Sequence, residues 1–368
     1  MKFAMFYEIP VPRPWTPGKE LEAYRNTIEQ AKLGDRMGFH SFWTVEHHFL
    51  DEYSHCSNPE VLYGHLSAVT ENLRLGYGVR LLPKPYNHPI RTAESVAVLD
   101  LVSNGRVEFG TGRSSTRAEI EGFGIDPHET RAMWDEALRH IVGCWTHDEY
   151  SFEGKYWSMP PRRIHPKPLQ QPHPPIWGAT SSLEGHYEIG KHGIGLLSFT
   201  VGLPPETLEE RVANYRKGLA DCAEPVGVFV NSTAATFTMV HCNDTNEKAR
   251  AVAEESFTWY PVTAGNHIAS LAEYMAEQGK DLGNYGYAGE ALAGRTSGFF
   301  DHINMDYIYD TGAGVVGDPD RCIEVCKRYE DVGCELLFCL LNPYNIPHEE
   351  VMHSIELLGK YVIPEFDN

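Results

Sequence analysis

Strand-like and helix-like segments alternate along this chain almost from end to end, which restricts it to a parallel sheet covered by helices. Apolar extended runs at residues 3–8, 41–46, 73–80, 106–110, 176–178, 194–199, 226–241 and 335–340 read as strands. Helical spacing follows at 21–37, 59–72, 88–101, 130–145, 183–192, 205–221, 246–260 and 348–361, with a further helix at 319–331 before the last strand. Eight strands, each followed by a helix, predict an α/β fold of the closed (β/α)8 type, a TIM barrel. An open dinucleotide-binding sheet carries GxGxxG after its first strand, and this first strand lacks it. The 368 residues suit a single barrel domain spanning 1–368. Two stretches break the alternation: a Pro-rich excursion at 150–175 and the Gly-rich region 260–310, with its DLGNYGYAGEALAGRTSG. The second is too long for a simple connection. It reads either as a disordered insert or as a lid over the barrel mouth before the last βα unit.

Charge narrows the partners. The chain carries 51 acidic against 31 basic residues, a formal net charge of −20. No basic field draws a polyanion to it, which argues against nucleic acid and anionic membrane. No apolar run approaches the roughly 18 residues of a membrane span, and the N-terminal MKFAMFYEIP reads as a strand rather than a signal segment. The eight cysteines form no CxxC pair and no disulfide-scaffold spacing, so reduced thiols and a cytoplasmic location are expected. Cys322 and Cys326 lie four apart on a helix, but buried thiols explain them better than a metal, and no metal is expected.

The stretch from Asn104 to Arg131 carries the strongest chemical signal. Asn104-Gly105 makes a turn, a short strand follows, and Gly110-Thr111-Gly112-Arg113 leaves bare backbone with a cation at its rim. Arg131 opens the next long helix. Two guanidiniums near N–H-rich backbone suit an anionic group such as a phosphate. Trp177-Gly178-Ala179-Thr180-Ser181-Ser182 passes from strand to helix with hydroxyls at the helix start, which serves either as plain capping or as a phosphate seat. Glu46-His47-His48-Phe49 ends the second strand, where barrel strands deliver side chains to the catalytic face. Adjacent histidines there point apart, so one faces the pocket, as an acid–base group or in a structural hydrogen bond. Leu75-Gly76-Tyr77-Gly78-Val79-Arg80 is a strand broken by glycines, for close approach of a flat ligand or for packing, and His88 lies at the same rim.

In this order the pieces resemble the bacterial luciferase family of flavin-dependent monooxygenases. The resemblance runs over nearly the whole chain and is clearest in EHHF at Glu46–Phe49, NPEVLYGHL from Asn58, LVSNGRVEFGTGR from Leu101, FGIDPHETR from Phe123 and the closing GDPDRC…ELLGKYVIPEF. It implies a barrel binding FMN at its C-terminal mouth, as a homodimer. By resemblance Arg113 and Arg131 hold the FMN phosphate with Ser181 and Ser182, and a non-prolyl cis peptide beneath the flavin falls at Gly78-Val79. His47 is the catalytic histidine, as general base or hydrogen-bond donor, and the mobile loop falls within 260–310. One departure matters: Gly112 stands where the light-emitting subunit has a reactive cysteine, which leaves flavin binding intact and argues against light emission.

The function implied is a two-component monooxygenase. Reduced FMN from a separate NAD(P)H-dependent flavin reductase reacts with O2, and a flavin 4a-(hydro)peroxide passes one oxygen to a small organic substrate. Phe6, Tyr7, Trp15 and Phe199 near the mouth suggest an apolar substrate. The alternatives are a deazaflavin-dependent hydride-transfer oxidoreductase and a non-catalytic flavin-binding protein.

Overall fold

The computed structural model describes residues 1–199 and 202–366. Its barrel strands, in chain order, are β1 (Lys2–Tyr7), β2 (Ser41–Thr44), β3 (Arg74–Tyr77), β4 (Val107–Gly112), β5 (Ile176–Thr180), β6 (Gly195–Phe199), β7 (Ala234–Cys242) and β8 (Leu336–Leu340). Each pairs in parallel with the next, and β8 returns to β1 in a register running from Lys2 opposite Leu336 to Phe6 opposite Leu340. The barrel is therefore closed, as the alternation predicts, and every strand is covered by helices outside.

Local sequence explains most helix starts. His88-Pro89 and Asp318-Pro319 each place a side chain that caps the helix before a proline that tolerates the first helical position, and Asn58-Pro59 has the same order without a side-chain cap. Asp318 accepts from the Arg321 N–H at 2.9 Å, and the helix Pro319–Asp331 follows. Asn104 and Gly105 both take positive φ, 58° and 78°, the conformation that Asn-Gly supplies at a tight turn.

The interior is filled from both ends. Trp43 packs on Phe338 at 4.6 Å between ring centroids and edge-on to Trp177 at 5.5 Å. Above them Phe6 lies 5.0 Å from Phe237. A Cβ on Gly76 would enter the Trp43 ring, so this glycine makes room for the indole. Packing is thus the reason for Gly76, whereas its neighbour Gly78 lines a cavity.

Four expectations need correction. The strand at 73–80 is not continuous: β3 stops at Tyr77, the Gly78–Val79 peptide is cis, and Arg80–Leu81 resumes pairing on β4. The seventh strand starts at Ala234 rather than 226, because Val228, Phe229 and Val230 remain exposed and never enter the barrel. The helix expected at 246–260 runs on to Glu277 through Pro261, which removes one backbone hydrogen bond without breaking the helix. Burial of Ala264, Ala269, Leu271, Ala272 and Met275 holds the second half. The strand Val315–Gly317, paired to the end of β7, has too short an apolar run to be read in advance.

Within 260–310 the chain is therefore largely helical, continuing with Gly286–Thr296 and Met305–Thr311. A second apolar cluster of Ile120, Ile125, Leu271, Ala272, Met275, Tyr285 and Ala288 packs it against the short helix Arg117–Gly122. The excursion at 150–175 carries an antiparallel hairpin, Tyr150–Glu153 with Ser158–Arg162.

Gly76→Ala should destabilise the fold by about 1–3 kcal/mol through overpacking against Trp43. Denaturant unfolding measures this, and an unchanged midpoint would show that the interior yields.

Candidate active site

The residues singled out from sequence converge. His47, Gly78, Val79, Arg113, Arg131, Ser181 and Ser182 all line one cavity of about 740 Å³ at the C-terminal ends of β2 to β5. At its cationic end, Arg113 donates to the Thr130 hydroxyl at 3.1 Å and lies over the Tyr285 ring at 4.8 Å. Arg131 reaches the exposed Glu184 at 3.3 Å. Both guanidiniums are half-buried and keep donors for an anion. Ser182 caps the helix Leu183–Lys191 by accepting from the Gly185 N–H at 3.1 Å, so the capping reading holds. A hydroxyl that accepts there still has its own proton to donate.

The floor is the cis Gly78–Val79 unit, at the position the resemblance implies. Gly112 faces it, and a Cβ at residue 112 would run into the Val79 side chain. No side chain fits at 112 while Val79 keeps its place.

His47 is clamped between two carboxylates. Its Nδ1 donates to Glu119 Oε1 at 2.9 Å, and its Nε2 lies 3.6 Å from Glu8 Oε2. Glu119 is fully buried and satisfied on both oxygens: Oε1 also accepts from the His48 N–H at 3.1 Å, and Oε2 accepts from Ser114 at 2.7 Å and Thr116 at 2.8 Å. Burial works to lower the His47 pKa, but Glu119, with help from Glu8 and Glu46, raises it to about 9. Burial likewise works to raise Glu119, yet His47 and the two hydroxyls hold it below the usual carboxylate range. Glu8 is pushed up by burial, against the pull of His47 and of the Tyr260 and Tyr53 hydroxyls. At neutral pH the central group is an imidazolium.

Beyond His47 opens a second, mainly apolar compartment with about 820 Å³ of empty space, lined by Phe6, Leu50, Leu197, Phe199, Phe237 and Phe338 among others. Val45, His47, Gly78, Val79, Ser115, Ala179 and Phe199 line both compartments, which therefore adjoin. The helix Asn246–Glu277 covers this end with Ala264, His267 and Ile268, and Tyr287 of the following helix reaches the cationic end. Polar contacts fasten the cover: Tyr285 to Thr130 at 2.7 Å, Arg117 to Glu277 at 2.9 Å and Lys280 to Asp126 at 2.8 Å.

Some expectations fall elsewhere. His48 turns away and packs on Phe123 at 4.9 Å between centroids, as two adjacent histidines require. His88 is not at the pocket; its ring caps Pro89–Val102 by accepting from the Ile90 N–H at 3.2 Å. Tyr7 stacks on Phe42 at 5.1 Å on the outer face of β1, and Trp15 is 44% exposed, so neither lines the cavity, while Phe6 and Phe199 do. Among the described residues, no group of three or more His, Cys, Asp or Glu converges as a metal site. No helix among them is long and apolar enough to cross a membrane.

Three participants escaped the sequence reading: Glu119, Glu8 and Tyr260. Glu8 ends β1, where the rule applied to Glu46–Phe49 would have found it. Thr116-x-x-Glu119 has capping-box spacing, which hides a carboxylate that turns to His47 instead. Tyr260 comes from a helix the sequence appeared to end there.

The luciferase-like monooxygenase family matches residues 1–336. A flavin-dependent trigonelline monooxygenase, oxygenase component, from Acinetobacter baylyi is 28% identical over 71% of this chain and 70% of its own length. The FMN complex of the oxygenating constituent of 3,6-diketocamphane monooxygenase from Pseudomonas putida superposes with a TM-score of 0.78 at 19% identity, over 99% of this chain and 98% of that one. An F420-dependent secondary alcohol dehydrogenase, in complex with an F420-acetone adduct, superposes at 0.73 with 18% identity, over 100% and 99%.

The His47 clamp makes stability pH-dependent. The folded pKa of about 9 lies above the unfolded 6.5, so this contribution is complete below pH 6.5 and is lost as pH rises through 9. The loss is on the order of 3 kcal/mol, and the Glu119 shift is the same interaction and adds nothing further. Denaturant unfolding from pH 6 to 9.5 should show this decline, with a flatter profile in Glu119→Gln; parallel profiles would contradict the clamp.

Proposed function

The chain belongs to the luciferase-like monooxygenase family, and on that premise we propose that it is the oxygenase of a two-component, FMN-dependent monooxygenase. The observation that carries this reading is a cationic cavity adjoining an apolar one, with a doubly clamped histidine lining both. The donor set fits a phosphate monoester: Arg113 and Arg131 supply the charge, Ser181 and Ser182 the hydroxyls. The Gly78–Val79 backbone forms a floor against which a flat ring would be held.

Reduced FMN, bound there, supplies the electrons that activate O2, so that one oxygen atom enters the substrate and the other leaves as water. A separate NAD(P)H-dependent flavin reductase provides it, in line with a relative described as an oxygenase component. The protein's own part is placement and exclusion. The helix Asn246–Glu277 acts as a lid that keeps water from the junction. His47 holds its proton on Nε2 facing the junction while Glu119 fixes Nδ1, so it donates a hydrogen bond and is not free to act as a base at neutral pH. The substrate is small and mainly apolar, matching the lining of the second compartment.

Exposed Val61 and Val69 on one helix, with Val98, Leu101 and Val102 on the next, support a homodimer through this apolar face. The eight cysteines are all free thiols, which supports a cytoplasmic location.

Anaerobic titration with photoreduced FMN, followed by mixing with oxygen, tests the reading. Tight binding and slowed reoxidation are expected, and Arg113→Ala and Arg131→Ala should each weaken binding by about 10- to 100-fold. Preference for reduced F420 would favour the deazaflavin alternative, and tight binding with no product from any substrate the flavin-binding one. His47→Ala should uncouple oxygen use from product formation, and wild-type turnover should fall as pH rises through about 9. Light scattering should find a dimer that Val98→Asp combined with Leu101→Asp converts to monomer; a monomeric wild type would refute the proposed interface.

A further inference from the structure

Glu8 has one oxygen occupied and one idle. Its Oε1 accepts from Tyr260 at 2.8 Å, while Tyr53 donates its one proton either to the Tyr260 hydroxyl at 2.8 Å or to the same Oε1 at 3.3 Å. Its Oε2 is buried, has no hydrogen-bond partner, and at 3.6 Å from His47 Nε2 stands just beyond bonding distance. Glu8 lines the apolar compartment, and among the described residues it is the one lining that space whose buried side-chain polar atom is without a partner. Thr116 there is engaged with Glu119, Ser198 with His186 at 2.8 Å and Thr236 with the Ser198 carbonyl at 3.0 Å.

The geometry points to Glu8 Oε2 as the polar anchor of the substrate: the compartment takes a largely apolar molecule bearing one neutral hydroxyl, which donates to this oxygen. This deepens the function proposed above and rests on it for the assignment of the apolar end to the substrate. A buried acceptor left unpaired is costly, and a ligand that brings a donor to it gains what water cannot supply in so apolar a space. A site with such an acceptor rejects an analogue lacking the donor far more strongly than it rejects a change in apolar size. The neutral hydroxyl is favoured over an ammonium because the His47 imidazolium already sits beside the same oxygen and repels a second cation. The position also fits catalysis, since a hydroxyl held at Oε2 keeps the rest of the substrate beside His47 and the cis Gly78–Val79 floor.

Ligand-observed ¹⁹F NMR on the full chain tests this with 4-fluorophenol, 4-fluoroanisole and 4-fluorobenzylamine, without flavin and with FMN. We expect the phenol to bind at least about tenfold more tightly than its methyl ether, and more tightly than the ammonium. Glu8→Gln, with FMN binding as the check that it folds, should bring phenol and ether to within about threefold of each other. Equal binding of phenol and ether, absence of binding by both included, overturns the proposal. So does a preference for the ammonium, or a phenol preference that survives Glu8→Gln. A neutral Glu8 acid would donate to the ether oxygen and take the ether as readily as the phenol, which also counts against it. If the variant does not fold, the wild-type comparison decides alone. Weak FMN binding with the phenol preference intact would count against the proposed function and leave the anchor standing.

Discussion

The pairing of β1 with β8 is the contact on which everything else rests. A parallel strand cannot be satisfied at an open edge without another strand or a cover, and here the first and last strands supply each other's partner. Closure makes all the strands point the same way around one axis. Residues just past their C-terminal ends then have no choice but to converge: Glu8 after β1, His47 after β2, Gly78 after β3, Arg113 after β4 and Ser181 after β5. The mouth is thus built from residues scattered across more than 170 positions of sequence. The chemistry of the site is a consequence of where strands end.

Within that mouth the governing cost is buried charge. Two carboxylates around one imidazole would be expensive to hide if their oxygens were left bare. Glu119 meets the requirement with four donors, which is why it remains ionised despite full burial. Glu8 has donors on one oxygen alone, and its pKa moves the other way. The asymmetry places the well-supported carboxylate behind the histidine, on the wall, and the under-supported one in front, in the cavity. Orientation of the imidazole is fixed from behind, so its second nitrogen faces the space where ligands would lie.

The barrel was legible because strand and helix periodicities repeat with short connections, and the cationic end because arginine and hydroxyl residues sit at strand ends. What was hidden follows a different pattern. Pro261 is a helix-breaking signal, and tertiary burial of Ala264 to Met275 overrode it. The apolar run at 226–230 has strand composition but lies outside the barrel, with Val228, Phe229 and Val230 exposed. His88 carries a chemically suggestive side chain whose hydrogen bond goes to its own helix. Glu119 was hidden because a single carboxylate within a helix start announces nothing until the fold brings a histidine to it, whereas Glu8 stands at a strand end where the barrel rule points. Local pattern reveals elements and their ends; which end residues face one another depends on barrel closure.

The two compartments share a boundary made of Val45, His47, Gly78, Val79, Ser115, Ala179 and Phe199. Molecules held in the two compartments meet the same side chains. Their affinities are therefore bound by reciprocity: whatever factor the occupant of the cationic end adds to binding at the apolar end, the apolar occupant returns in equal measure. A dissociation constant measured at one end is then a function of concentration at the other, and neither ligand has a single affinity to be quoted without stating how full its neighbour's place is.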